Sequence, residues 1–302
     1  MTIQTSTDLP TAGAATALAE TGLPAEPRRP LGKPKIGRRL RRLRPGLVLS
    51  ALVIAVVILW ALLPGIFTRY DPVAGSAAEA LQVPNAAHWF GTDATGRDVY
   101  SRVVYGAVHS LLGALIAVTV GLVAGTAVGV LAGSLGRVVD DVLMRIVDVL
   151  LAIPGLLLSL SIIILLGFGT ANAAFAVGVT SIATFARLAR SEVVRVRRSD
   201  YVEAAFGSGG RFSTVLWRHI LPNSLTAVIA LAALQFGSAI LQISTLGFLG
   251  YGAPPPTPEW GLMIAEGRNY VATAWWLTTL PGVIVVAVVL AANRISSALS
   301  NR

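Results

Sequence analysis

Glu203, Ala204 and Ala205, preceded by Asp200 and Tyr201 and followed by Gly209, form the most distinctive short pattern in this 302-residue chain. An acid near the start of a segment with fair helix propensity suits the positive end of a helix dipole. Gly207, Gly209 and Gly210 then stop the helix after about one or two turns. Such a unit holds no cysteine, histidine or lysine. Its chemistry is surface recognition, with small side chains suited to a tight cleft and Glu203 holding the short helix by capping or by a charge pair. His219, Leu221 and Pro222 follow, and a proline there is compatible with the first turn of a further helix.

Catalytic signatures are missing from the sequence. No G-x-x-x-x-G-K-[ST] occurs, the only lysines are Lys33 and Lys35, and neither G-x-S-x-G nor H-E-x-x-H is present. The chain is therefore read as a non-enzyme without a nucleotide site of its own. It has no cysteine, and His88, His109 and His219 stand far apart in the order of apolar segments, so no metal site is expected.

The elements that position the Glu203 segment are apolar. Hydrophobic residues make up 54% of the chain and charged residues 13%, about half the charge of a soluble domain. Mean hydropathy is +0.71. The net charge of +9 could suggest nucleic-acid binding, but the basic residues cluster beside apolar runs and lack an aromatic stacking platform. Residues 1–45 read as a disordered basic tail, with nine positive charges between Arg28 and Arg44. The apolar run at 46–67 is longer than the roughly 7–15 residues of a signal-peptide core and lacks a cleavage site, so it reads as a first transmembrane helix. Five further spans fall near 107–133, 142–167, 171–190, 223–249 and 274–293. Between them lie an extracytoplasmic loop at 68–106 and a cytoplasmic loop at 196–222, with a cytoplasmic tail at 294–302. The expected fold is all-α, with a five-helix core over 107–293 and six crossings in total.

Charge sets the orientation. With the N-terminus inside, twenty of the 24 basic residues fall on the cytoplasmic side; the outside keeps Arg69, Arg97, Arg102 and Arg268. Both termini and the Glu203 loop are then cytoplasmic.

Two stripes stand out within the spans. Gly113, Ala117, Gly121, Gly125, Gly129 and Gly133 recur every four residues, and small residues at that spacing let helix backbones approach closely in lipid. The partner helix lies either inside this subunit or across a subunit interface. Gln235, Ser238, Gln242 and Thr245 share one helical face in the fifth span. They read either as interhelical hydrogen bonding or as a substrate path lined by neutral donors and acceptors. Asp141, Arg145 and Asp148 are spaced for mutual pairing at the start of the third span. Pro154 should kink that span, and Arg187 and Arg190 should snorkel from the end of the fourth. Asp93–Arg97 and Asp98–Arg102 read as a solvated interfacial helix, and Pro254–Pro258 as a rigid outside loop.

From about residue 88 to 293 the chain resembles the permease subunits of dipeptide, oligopeptide and nickel ABC importers, in particular the second permease of the peptide systems. The resemblance is carried by H-W-F-G-T-D-A-T-G-R-D at 88–98, M-R-I-V-D-V-L-L-A-I-P at 144–154, Y-V-E-A-A at 201–205, and L-G-F-L-G-Y-G-A-P-P-P-T-P-E-W-G at 246–261. Phe206-Gly207-Ser208 and the ending at 294–302 depart from the family pattern. The resemblance implies a type I ABC-importer permease fold in a bacterial inner membrane. It implies a homologous permease as heterodimer partner, two ATPase subunits that bind ATP-Mg, an extracytoplasmic solute-binding protein, and no nucleic acid. Asp200, Tyr201, Glu203, Ala204, Ala205, Gly209, His219, Leu221 and Pro222 would form the ATPase-coupling loop. The solute would be a peptide, with nickel or another small solute as the alternative within the family. An ion-driven secondary transporter is the alternative outside it.

The charge asymmetry makes the topology testable. A reporter fused after Arg302 and one inserted near Gly207 are both expected to report cytoplasm in intact cells. An extracytoplasmic signal from either overturns the orientation.

Overall fold

The computed structural model describes residues 45–300, and these hold helices, turns and one isolated antiparallel bridge between Thr92 and Asp98. The tail expected over 1–45, apart from Pro45, and the end of the expected C-terminal tail lie outside the described residues. Five helical stretches are long and apolar enough to cross a bilayer. They are α1 (Pro45–Leu62), α3 (Val99–Ser134), α6 (Thr170–Arg197), the continuous run Phe212–Phe248, and α11 (Trp276–Ser300). A short α2 (Pro64–Phe67) follows α1. The pair α4 (Arg137–Ala152) and α5 (Gly155–Leu166) makes a sixth crossing if counted together, bent by 95°.

That bend exceeds the kink expected at Pro154, for a local reason. A residue before proline is driven out of the helical region, and Ile153 is extended (φ −86°, ψ 127°). Pro154 lacks an N–H, and Leu158 N–H closes back onto its carbonyl to start α5 as a new helix. The fifth crossing also starts earlier than Pro222. It comprises α8 (Phe212–Val215), a π-turn at Leu216–Ile220 and α9 (Leu221–Phe248). Leu221 N–H bonds to Leu216 O, five residues back. The wider turn lets the chain absorb the donor that Pro222 lacks without ending the helix. Between α9 and α11, the expected loop contains a further buried helix, α10 (Trp260–Gly267). α3 and α6 are both longer than expected, beginning at Val99 and ending at Arg197 respectively.

The core is built around α3, which packs on α6 and α9, while α11 packs on α9 and α1. The glycine stripe of α3 faces α6 within this chain. A Cβ on Gly125 would lie 2.5 Å from Phe185 Cβ and 2.6 Å from Ile182 O; on Gly129 it would lie 2.5 Å from Ala186 O. Gly121 meets Ser181 and Gly133 meets Val193 in the same way, and Gly178 returns the contact against Val120. The two backbones therefore touch along most of the bilayer. In lipid that contact, and not the expulsion of water, supplies the attraction.

Filling the seam should separate the helices. Gly125→Leu is expected to destabilise the fold by about 1–3 kcal/mol or more, read as lower yield of folded protein and a lower Tm in detergent. Gly282→Ala, in α11 with nothing within 4 Å of its Cβ position, serves as the tolerated control.

Candidate functional site

The Glu203 segment folds as α7 (Asp200–Gly207), two turns long. Asp200 and Glu203 lie in its first turn, beside the free N–H groups. Its end is a Schellman motif: Gly210 N–H bonds to Ala205 O, and Gly209 N–H bonds to Phe206 O. Gly209 supplies the left-handed residue this motif requires, with φ +84°. No heavy atom lies within 4 Å of its Cβ position, so a side chain there meets conformational strain and not a clash.

This loop is anchored to the helices it joins. Val202 is its one fully buried side chain, and it packs in a small apolar core with Val193 and Val196 of α6, Val215 of α8 and Ile220 of the π-turn. Val130 of α3 and Ala205 close that core. Arg197, at the end of α6, donates to the carbonyls of Ser134 (3.2 Å) and Gly133 (3.5 Å) at the end of α3. Those are carbonyls that a helix C-terminus leaves unpaired. α7 is thus tied to both α3 and α6. Tyr201, Glu203, Ala204 and Phe206 point outward.

Two sequence expectations change here. The Glu203 side chain has no hydrogen bond or ion pair among the described residues, so it does not hold α7 within this chain. Ala204 and Ala205 do not act alike, since Ala205 is half-buried against the small core. Asp200 is exposed; His219, Leu221 and Pro222 belong to the π-turn and the start of α9, where His219 O accepts from the Asn223 amide.

The polar stripe of α9 is half-exposed. Gln235, Ser238 and Gln242 make no side-chain hydrogen bond among the described residues, and Thr245 bonds only to Leu241 O of its own helix. The Gln242 oxygen lies 3.9 Å from the Cβ position of Gly155, at the break between α4 and α5.

The charges at the start of α4 pair across helices. Arg190 meets Asp140 through Nε (2.8 Å), and Arg187 meets Asp148 (2.6 Å), so α4 is fastened to α6. Asp141 faces Arg137 instead, 3.7 Å away and highly exposed. The expected Asp141–Arg145–Asp148 pairing is replaced by these cross-helix pairs. Two helices side by side bring opposite charges together with better geometry than one helix face does.

At the opposite end of α3, residues 88–98 form a folded loop, not the solvated helix expected. Asp98 caps α3, accepting Ser101 N–H (2.7 Å) and sharing a hydrogen bond with His88 (2.9 Å), and so does not pair with Arg102. Arg102 is 1% exposed. It donates to Glu266 of α10 (2.9 Å) and to the carbonyls of Pro72 and Pro256 (3.3 Å each). Arg97 joins Asp93 (2.6 Å) and lies 3.5 Å from Glu266. Burial raises the affinity of Asp93 for its proton, but hydrogen bonds from Arg97 and Thr95 and the Arg97 charge outweigh it, so its carboxyl titrates below the usual range. Trp260 of α10 lies over Gly106 and donates to Val103 O (2.9 Å). α10 is therefore pinned to α3 by one charge pair and one indole. Glu259, Trp260 and Glu266 carry this junction. Sequence reading marked the motif at 246–261 but assigned no role to these side chains.

Known proteins resemble this chain over most of its length. Residues 125–302 match the family described as the binding-protein-dependent transport system inner membrane component. The chain is 40% identical over 252 residues to the dipeptide transport system permease protein DppC of Alkalihalophilus pseudofirmus, covering 83% of each. It is 41% identical over 251 residues to the probable D,D-dipeptide transport system permease protein DdpC of Escherichia coli, covering 82% of this chain and 84% of that one. Among solved structures, an inward-facing MetNI methionine ABC transporter aligns with a TM-score of 0.54 at 18% identity, over 66% of this chain and 96% of that one. An amino acid ABC transporter solved with histidines aligns at 0.54 and 16%, over 67% and 94%. The fold is that of ABC-importer permeases.

The junction between α3 and α10 should be costly to break. Arg102→Ala takes from Glu266 and Asp93 one of the two cations they share, leaving Arg97, and is expected to cost up to about 3 kcal/mol, below the full penalty of a buried pair because Glu266 keeps 29% of its side chain exposed. Arg137→Ala, whose pair with Asp141 is solvated, should change stability by less than about 0.5 kcal/mol. Thermal unfolding of the purified variants checks both.

Proposed function

The chain belongs to the family of binding-protein-dependent transport inner membrane components, and on that premise we propose that it lines half of the translocation pathway of a short-peptide importer and meets its ATPases through α7. As a permease of this family it is a multi-pass membrane protein that does not hydrolyse ATP; ATPase subunits, a second permease and a solute-binding protein complete the transporter. The alternative of an ion-driven carrier falls with the family assignment.

The observation that carries the reading is the construction of α7. Its inner face is fixed to α3 and α6, and its outer face presents Tyr201, Glu203, Ala204 and Phe206 without a partner in this chain. A docked ATPase that moves α7 must move α3 and α6 with it. Glu203 then meets a cation or a helix end of the ATPase, and Ala204 sits in its cleft. Gly209 keeps the loop's exit narrow. Because the long helix α3 spans about 54 Å, motion at α7 reaches Arg102 and α10 without an intermediate. This partner permease is homologous but distinct, nucleic acid has no part, and both termini lie in the cytoplasm.

Peptide as solute is supported by the relatives' names, which specify dipeptides and D,D-dipeptides, and by the chemistry of α9. Gln235, Ser238, Gln242 and Thr245 offer amide and hydroxyl groups that can exchange hydrogen bonds with a peptide backbone whatever its side chains. A nickel ion asks for imidazole, thiolate or carboxylate, which this stripe lacks.

The coupling role is tested with Glu203→Ala combined with Gly209→Asp, reconstituted with the partner subunits, binding protein and dipeptide. Normal membrane levels are expected with lost uptake and ATP hydrolysis that no longer rises with loaded binding protein. A fully coupled double mutant overturns the assignment of α7.

A further inference from the structure

Glu259 is the most deeply buried acid among the described residues, at 0% exposed. It stands between the end of α9 and the start of α10, outside the spans. Oε1 caps α10 by accepting Gly261 N–H (3.3 Å). Oε2 has no hydrogen-bond partner among the described residues. This bare oxygen rests on glycine backbone: a Cβ on Gly247 of α9 would come within 2.6 Å of it, and one on Gly252 within 2.8 Å. Gly261 in turn lies directly on the Ser244 backbone of α9, 2.7 Å from Ser244 Cα to its Cβ position. The carboxyl therefore fills the seam where α10 is pressed against α9.

No charge compensates it there. The groups that face it are Gly247 from α9, Gly252 and Ala253 from the connection, and Gly261 and Leu262 from α10, none of them titratable. Arg102 of α3 and Glu266 of α10 are engaged with each other, and neither they nor His109 of α3 influence its ionisation. An anion with one oxygen undonated in such a seam costs more than a neutral acid does.

We propose that Glu259 is a positioning residue that fastens α10 to the end of α9 as a neutral acid and releases its proton to water when the two elements part during transport. This rests on reading the chain as a permease whose outer face opens in each cycle. The O–H bond breaks as water enters the seam, and the carboxylate formed is then hydrated. Burial pushes the carboxyl up to about 7 from an ordinary 4.5, while backbone N–H groups of Gly261, Leu262 and Ala253 pull the other way. The sign follows. Between those two values the joined arrangement holds the proton and the parted one does not. Each unit rise in pH there favours parting by up to about tenfold, and the effect levels off above about 7.

The test uses the complete transporter in oriented proteoliposomes, comparing wild type with Glu259→Gln, which keeps the shape and stays neutral. Dipeptide uptake is measured as the outer pH is varied on both sides of 7. The ratio of wild-type to variant rate cancels pH effects on the other subunits. It is expected to change several-fold across that range; a constant ratio overturns the proposal. In parallel, pH-difference infrared spectra of the full chain in lipid are expected to show a neutral-carboxyl carbonyl band that titrates near 7 and is missing from Glu259→Gln. Identical spectra for the two proteins overturn it as well. If wild type takes up no dipeptide at any pH, the peptide assignment fails and the infrared comparison decides the role of Glu259 by itself.

Discussion

The contact of α3 with α6 along four glycines is the constraint on which the rest of the structure depends. In lipid, apolar side chains gain nothing from leaving the solvent, so helices hold together by fit. Gly121, Gly125, Gly129 and Gly133 remove every side chain from one edge of α3, and Phe185, Ala186, Ala189 and Val193 of α6 take the space. The pair behaves as one body. At its end, Arg197 ties the last carbonyls of α3 to α6, and Val130 reaches the small core under α7. The exposed face of α7, proposed to meet the ATPases, is thereby attached to the 36-residue helix α3.

At the other end of the same helix the connections change in kind. Close backbone fit gives way to an ion pair and an indole hydrogen bond directed at α10, which an acid in a glycine seam joins in turn to α9. Fit of the first kind has no soft direction short of separation. Polar junctions of the second kind can exchange protein partners for water at modest cost, because each group is well hydrated once exposed. A permease needs both: an element that carries displacement without yielding, and a face that opens.

Charge placement follows the same division. Asp140 and Asp148 are satisfied by Arg190 and Arg187 from a neighbouring helix, which secures α4 just before the break at Pro154. Beyond that break, α5 leaves most of its leucines and isoleucines exposed, and Gln242 of α9 approaches Gly155. Backbone at membrane depth is irregular only where protein or water covers it. The broken crossing and the amide of Gln242 thus occur together in the structure.

Composition, apolar lengths and the four-residue glycine repeat determined by themselves that this chain is an all-helical membrane protein with a close helix seam, because those properties are local and periodic. The two turns of α7 and their stop at Gly209 were equally legible, since a left-handed glycine and a Schellman closure are matters of a few adjacent residues. Tertiary structure alone decided which helix fills the seam, because spacing shows an open face and not its occupant. It decided that Asp148 belongs to Arg187, that Arg102 is buried under α10, and that Glu259 lies in a buried contact of α9 with α10. Each of those pairings joins residues from separate helices, and neither spacing nor propensity carries information about a neighbour brought in from far along the chain.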